Sequence, residues 1–124
     1  MGDVVNMQNG TAETTERTGG RGPALNEVRL LGRLTAAPEL RYMPNGGPVC
    51  ELRLATNERQ EPEYHDVTVY GKLAETIAQH QVKGSQLLVS GRLHAQTWTA
   101  QDGGNRRRVV VIAESAQFLA RAGQ

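Results

Sequence analysis

Alternation of apolar and polar residues with a period of two constrains the fold of this chain more than any other feature. Between residues 27 and 34, Val28 and Leu30 fall on one side and Arg29 and Arg33 on the other. Such a segment is typical of a strand that covers a core with one face and meets solvent with the other. The same pattern recurs four times further along. The five predicted strands span residues 27–34, 50–54, 64–70, 87–98 and 106–113.

Turn signals and one helical segment separate these strands. Residues 44–48 read Pro-Asn-Gly-Gly-Pro, and residues 101–105 read Gln-Asp-Gly-Gly-Asn, both typical of tight turns. Between residues 72 and 81 the spacing changes, since Leu73 and Ile77 are four residues apart, and Gly84 follows where a helix commonly stops. Five strands with a helix between the third and the fourth predict an all-β, five-stranded OB-fold, a β-barrel with one helix.

The first 24 residues differ from the rest of the chain. They are rich in Gly, Thr, Asn and Glu, with few apolar residues, so we expect residues 1–24 to form a disordered tail. The 124-residue length then fits one folded domain at residues 25–120, followed by a short end at 121–124. The longest apolar run, residues 109–113, is too short to span a membrane, and no secretory h-region is present. We therefore expect a cytoplasmic protein.

Charge and motifs exclude several classes of function. The 14 Lys and Arg against 13 Asp and Glu give a net charge of +1, so bulk charge does not indicate a nucleic-acid partner. The single cysteine, Cys50, excludes an internal disulfide and a multi-cysteine zinc site, and the histidines match no zinc spacing. No phosphate loop, GxSxG motif or carboxylate pair is present. The sequence predicts no cofactor, no metal and no enzymatic activity.

Aromatic residues stand on the polar faces of two predicted strands. Tyr64 and Tyr70 alternate away from the apolar residues of their strand, and Trp98 lies on the same side of its strand as Arg92. Aromatics interleaved with arginines suit stacking of unpaired bases, at about 1–3 kcal/mol per base. Cross-strand aromatic packing explains the pattern equally well. Because stacking is indifferent to the sugar, DNA and RNA both remain candidates.

An arginine run follows the second turn, at residues 106–108. Contact of these side chains with phosphates would make binding dependent on salt. A solvated strand end is the commoner explanation of such a run. Alternation also places Arg107 on the opposite face from Arg106 and Arg108, so that only part of the run can address one groove.

Several segments taken together resemble bacterial single-stranded DNA-binding protein. They cover nearly all of residues 25–120 in order and with few gaps, and no single motif carries the likeness. The matching segments are Asn-Glu-Val-Arg-Leu-Leu-Gly-Arg-Leu (26–34), Pro-Glu-Leu-Arg-Tyr-Met-Pro-Asn-Gly-Gly (38–47), Leu-Ala-Thr-Asn-Glu (54–58), Tyr-His (64–65), Val-Tyr-Gly-Lys-Leu-Ala-Glu (69–75), Lys-Gly-Ser-Gln-Leu-Leu-Val-Ser-Gly-Arg-Leu (83–93) and Trp98.

The resemblance implies sequence-independent binding of single-stranded DNA in replication, recombination and repair, by a cytoplasmic, nucleoid-associated protein that is usually a homotetramer. The base-stacking positions of the family fall on Tyr64, Tyr70 and Trp98, which alternation had already selected. The residues expected to hold phosphates by this match are Lys72, Lys83 and Arg106, with Arg29, Arg33, Arg92 and Arg107 as additional candidates. The positions that match subunit contacts of the family are His65 and Gln86.

The chain departs from the family pattern in several places. Gln60 stands where a further aromatic is expected, and Asp66 and Gln96 stand where basic residues are expected. The last ten residues contain no acid, so recruitment of replication enzymes through an acidic tail is not expected. These departures keep two alternatives open. One is an interaction protein like the tailless, dimeric primosomal replication factor, and the other is an RNA-binding OB module.

Overall fold

A computed structural model describes residues 22–119 of the chain. All but residues 22–24 of the predicted tail lies outside the described residues, as does the end at 121–124. No helix in the described part has the length and apolar character needed to cross a membrane. The elements in chain order are β1 (Val28–Leu34), β2 (Glu39–Tyr42), β3 (Pro48–Thr56), β4 (Glu63–Tyr70), α1 (Gly71–His80), β5 (Gln86–Thr99) and β6 (Asn105–Leu119).

The strands form one closed sheet. Their order is β1-β5-β6-β4-β3-β2, and an additional pairing of β1 with β3 closes the ring. The β4–β6 pair is parallel and all the others are antiparallel. The five predicted strands are β1, β3, β4, β5 and β6, and the helix lies between the third and fourth of these, which confirms the all-β OB-fold.

The short strand β2 adds to the predicted set. It pairs only with β3, from Glu39 opposite Glu51 to Tyr42 opposite Pro48. The Pro-Asn-Gly-Gly turn folds the two strands together, and the Met43 N–H donates to the Gly47 carbonyl at 2.8 Å. Leu40 is the one apolar aliphatic side chain in this four-residue strand, too little for alternation to reveal it.

The core lies inside the closed sheet, where the inward faces of the strands meet one face of α1. The helix contributes Ala74 and Ile77, both completely buried. Burial also raises the pKa of the Cys50 thiol, which keeps it protonated and makes it a poor nucleophile, as expected for a small core residue. The buried core residues are Leu34, Cys50, Leu52, Leu54, Val67, Val69, Ala74, Ile77, Leu87, Val89, Val111 and Ala113.

Strands β5 and β6 continue as a two-stranded arm, formed by residues 92–99 and 105–112. At the base of this arm Val110 and Val111 are still buried, and β4 pairs with Val111 and Ile112. Leu93 and Ala95 alternate in step with the buried Leu87 and Val89, yet Leu93 is 47% exposed and Ala95 is also exposed. The apolar face of β5 is therefore buried only in its first half. The reason is that β1 pairs with β5 only as far as Gly91, so that among residues 22–119 the rest of β5 has β6 as its sole strand partner.

A β-bulge at Gly91 marks the base of this arm. Ser90 pairs with Ser115 but Gly91 pairs with Ala113, so Glu114 has no residue opposite it. A Cβ atom at position 91 would lie 1.9 Å from the Ile112 carbonyl oxygen, far inside van der Waals contact. The bulge therefore requires glycine at this position, where the pairing of β1 with β5 ends.

We expect Gly91→Ala to destabilise the fold by about 2 kcal/mol or more, because the Ile112 backbone cannot yield as a flexible side chain could. Urea unfolding followed by circular dichroism measures the change. Ser90→Ala on the preceding residue is the control and should shift the free energy of unfolding by less than about 0.5 kcal/mol. Equal stability of Gly91→Ala and the wild type would contradict the close approach.

Candidate nucleic-acid interface

Strand register brings the predicted aromatic residues to one outward face of the sheet. Even-numbered residues of β4, β5 and β6 share this side, since Thr68 pairs with Ile112 and Trp98 pairs with Arg106. Odd-numbered residues of β3 join them, because Ala55 lies opposite Tyr64. We call this surface the aromatic face. It comprises the odd-numbered residues 49–55 of β3 and the even-numbered residues 64–70 of β4, 92–98 of β5 and 106–112 of β6.

The three aromatic side chains on this face are each about half exposed. The exposed fraction is 53% for Tyr64, 44% for Tyr70 and 48% for Trp98. Tyr64 and Tyr70 are six residues apart on β4, about 20 Å at strand spacing. All three are carried by paired strands, so the sheet fixes their backbone positions while about half of each side chain stays accessible to solvent.

Cross-strand aromatic pairing, the alternative to a binding role, is not formed by these residues. The residues directly opposite are Ala55 for Tyr64, Val49 for Tyr70 and Arg106 for Trp98. Only the Tyr70–Val49 pair is of a kind that commonly stabilises a sheet. Direct cross-strand pairing therefore does not account for Tyr64 or Trp98, although the diagonal neighbour Arg53 covers one side of the Tyr64 ring.

Trp98 lies near the tip of the arm, where a groove of about 580 Å³ runs beside it. Across this tip, Arg106 forms an ion pair with Asp102 at 2.7 Å. The other carboxylate oxygen of Asp102 accepts the Gly104 N–H at 2.8 Å. The turn is thus organised by Asp102, and Arg106 is already partly neutralised. The lining residues are Thr97, Trp98, Thr99, Asn105, Arg106 and Arg107.

Two other predicted phosphate ligands also have partners within the chain. Arg92 lies 3.8 Å from Glu114, the bulged residue at the base of the arm. Arg33 donates to the Gly84 carbonyl at 3.2 Å and has a further interaction as well. These contacts are exposed, so a phosphate can compete for both guanidinium groups.

The remaining predicted cations form no ion pair within residues 22–119. Lys72 lies in the first turn of α1, two residues after Tyr70, and Lys83 lies in the turn before β5. Arg29 is on the outward side of β1. Arg107 pairs with Thr97 on the side of the arm opposite to Arg106, as alternation predicts. The structure therefore does not gather all the predicted cations on one surface.

A charged cluster on the aromatic face was not predicted. Asp66 on β4 lies 4.0 Å from the Arg53 Nε and 3.8 Å from an Arg108 Nη. Arg53 sits over the Tyr64 ring, 5.1 Å from its centroid. Arg108 also donates from its Nε to the Gln96 side chain at 3.2 Å. The sequence indicated only that Asp66 replaces a basic residue, and the missing information was the register that sets Arg53 opposite it.

The cluster borders a polar groove of about 460 Å³. Residues 35–37, between β1 and β2, form one wall, and the outward residues of β3 and β4 form the other. Thr68 lines this groove and is only 2% exposed, although it lies on the same side of β4 as the exposed Tyr64 and Tyr70. The groove therefore sinks into the aromatic face between Asp66 and the 35–37 segment.

The two residues predicted at subunit contacts lie on either side of β1. Gln86 pairs with Arg33 and lines a groove that Leu31 and Tyr64 also line. His65 is half-buried, with its Nε2 3.0 Å from the Thr56 hydroxyl, and lines a second groove with Leu31 and other residues. Leu31 thus borders both grooves and is 55% exposed.

Metal-ligating groups and the cysteine thiol are placed as follows. Within residues 22–119, no group of three or more His, Cys, Asp or Glu side chains is arranged to hold a metal ion. The thiol of Cys50 is enclosed in the core. What the aromatic face can do is stack planar rings and pair with anions.

Comparison with known protein families agrees with this geometry. A model described as the single-strand binding protein family matches residues 25–119, which include every strand and the helix. The match spans well over half of the chain and includes all three exposed aromatics of the aromatic face. The chain therefore belongs to the single-strand binding protein family.

Proposed function

We propose that this chain coats single-stranded DNA without sequence preference, stacking unpaired bases on the aromatic face. Family membership supports binding of single-stranded DNA as such. The observation that carries the mechanism is that Tyr64, Tyr70 and Trp98 are each about half exposed on one strand-borne face. Every base has a flat π surface, so stacking on these rings needs no particular sequence.

Lysine and arginine side chains hold the phosphates between stacked bases. Lys72, Lys83, Arg29 and Arg107 have no competing acid within the described residues, so they bind phosphate without first breaking an ion pair. Arg33, Arg92 and Arg106 must exchange an existing partner. Exposed ion pairs contribute only about 0–1 kcal/mol, so phosphate can displace these partners, and the net free energy of binding is reduced by that amount.

The biological role that follows is protection of exposed strands during replication, recombination and repair. The protein acts stoichiometrically rather than as an enzyme, in the cytoplasm and close to the nucleoid. This role depends on coverage of long strands, and so on more than one subunit per strand.

We infer that the chain self-associates, as a homotetramer or as a dimer, through β1. One edge of β1 pairs with β5 along residues 28–33. On the other edge β1 pairs with β3 only at Arg33 and Leu34, so residues 28–32 have no strand partner on that edge within residues 22–119. An open edge with an exposed Leu31 beside it is suited to pairing with a second copy. Gln86 and His65 border the two grooves that flank Leu31, which supports their place at such an interface.

Two other functions make different predictions. A dimeric interaction protein like the primosomal factor would have two subunits and weak affinity for DNA. An RNA-binding OB module would prefer oligo-U to oligo-dT in competition, because only contacts to the 2′-hydroxyl distinguish the sugars. The three exposed aromatics favour strand coating over the interaction protein.

Titration with oligo-dT should quench the fluorescence of Trp98, the only tryptophan, because a stacked base contacts its ring. High salt should weaken the binding, since release of counterions into a concentrated salt solution gains less entropy. Duplex DNA, whose bases are paired and stacked, is the control and should quench little. Absence of quenching from a folded protein would contradict a stacking role for Trp98.

Substitution of Tyr64 or Trp98 by Ala should each weaken oligo-dT binding by about 5- to 150-fold, the equivalent of about 1–3 kcal/mol per lost stack. Fluorescence anisotropy of labelled oligo-dT measures this without tryptophan. The matched control is Tyr42→Ala, because Tyr42 is 59% exposed on β2 but lies off the aromatic face. Equal losses from all three substitutions would point to unspecific contacts.

Leu31→Asp should reduce the mass of the assembly, because it places a charge beside the open edge of β1. Sedimentation equilibrium of the wild type distinguishes four subunits from two, and the variant should shift toward monomer. Leu93→Asp, on the arm and similarly exposed, is the control and should leave the subunit number unchanged. An unchanged Leu31→Asp assembly would place the interface elsewhere.

A further inference from the structure

We propose that Asp66 limits the affinity of the aromatic face by holding Arg53 and Arg108 in ion pairs that DNA phosphate has to displace. This inference rests on the proposed function. The Asp66 carboxylate would compete with DNA phosphate for the same two guanidinium groups.

The geometry gives Asp66 a central position. Its two carboxylate oxygens face different arginines, Oδ1 toward Arg53 at 4.0 Å and Oδ2 toward Arg108 at 3.8 Å. One arginine comes from β3 and the other from β6, so the carboxylate bridges the two strands that flank β4. All three side chains are between 42% and 61% exposed, which leaves them within reach of a bound strand.

The same contacts keep both arginines beside possible base-binding surfaces. Arg53 is held over the Tyr64 ring, where it occupies one side of the proposed stacking surface. Arg108 is fixed a second time by its bond to Gln96, on the strand that carries Trp98. A base that stacks on the covered side of Tyr64 must move Arg53, and Asp66 opposes that movement.

Competition of this kind changes the salt dependence as well as the affinity. When a phosphate takes an arginine away from a carboxylate, the freed carboxylate attracts a cation from solution. That uptake offsets part of the counterion release from the DNA, so the wild type should show a shallower salt dependence than its number of cations implies. With Asp66 neutral, each freed guanidinium that contacts phosphate should add up to about 0.7 to the slope of log K against log salt.

The test is Asp66→Asn, which keeps the size of the side chain and removes its charge. We expect the variant to bind oligo-dT about 3- to 10-fold more tightly than the wild type at low salt, with a steeper salt dependence. Fluorescence anisotropy across a salt series measures both. Thermal unfolding checks that the variant is folded, and loss of two exposed ion pairs should change stability little.

A matched control separates this competition from a general effect of charge. Glu63→Gln removes one negative charge from the same strand, three residues away, at an exposed position with no ion pair in the described part of the chain. Its affinity should change by less than about twofold, with the slope unchanged. An equal gain from both variants would overturn the proposal, because net charge would then explain it.

A double-mutant cycle identifies the arginines responsible. In the wild type, Arg108→Ala should change binding only slightly, since that charge is already neutralised. In the Asp66→Asn background the same substitution should remove a substantial part of the gain. If Arg108→Ala weakens binding equally in both backgrounds, Asp66 does not restrain Arg108 and the proposal fails for that residue. Arg53→Ala tests the other pair in the same way.

The outcomes separate this inference from the proposed function. If the wild type binds oligo-dT and Asp66→Asn binds equally or more weakly, strand coating stands and the competition is refuted, since Asp66 would then orient the arginines for binding. If the wild type fails to bind but Asp66→Asn binds, the competition is supported in its strongest form. If neither protein binds while both are folded, the proposed function and this inference fall together.

Discussion

Two close backbone contacts hold the closed sheet in its shape, and the placement of the aromatic face depends on both. At Gly32 a Cβ atom would lie 2.5 Å from the Ala55 carbonyl oxygen, where β1 crosses to β3 and closes the ring. At Gly91 the approach to Ile112 is closer still. The first contact lies where the sheet closes around its core. The second lies at the bulge where the pairing of β1 with β5 ends and the arm that carries Trp98 begins.

Local pattern was sufficient for the parts of the site that depend on one strand alone. The side on which Tyr64, Tyr70 or Trp98 projects follows from counting along the strand, and the structure has all three on the same outward face. The five main strands and the helix were predictable for the same reason. These features need no knowledge of what lies across the sheet.

What the sequence did not predict depends on partners that are distant along the chain. The exposure of Leu93 follows from where β1 stops pairing with β5, which no pattern within β5 records. The Asp66 cluster depends on the β3–β4 register and on the reach of Arg108 from β6. Strand β2 depends on a turn that folds a weakly apolar segment onto β3. In each case the feature is set by contacts between segments that are distant along the chain, which alternation within one strand does not indicate.

The two intrinsic chemical probes of this chain report on different parts of the molecule. The only tryptophan lies near the tip of a two-stranded arm, whereas the only cysteine is completely buried in the core. The outer part of the arm, where β5 and β6 pair with each other and with no other described strand, opens more readily than the closed sheet. Loss of the native tryptophan signal on heating therefore reports fraying of the arm, while reaction of the thiol with a reagent requires the core itself to open. Neither signal can stand in for the other as a measure of stability.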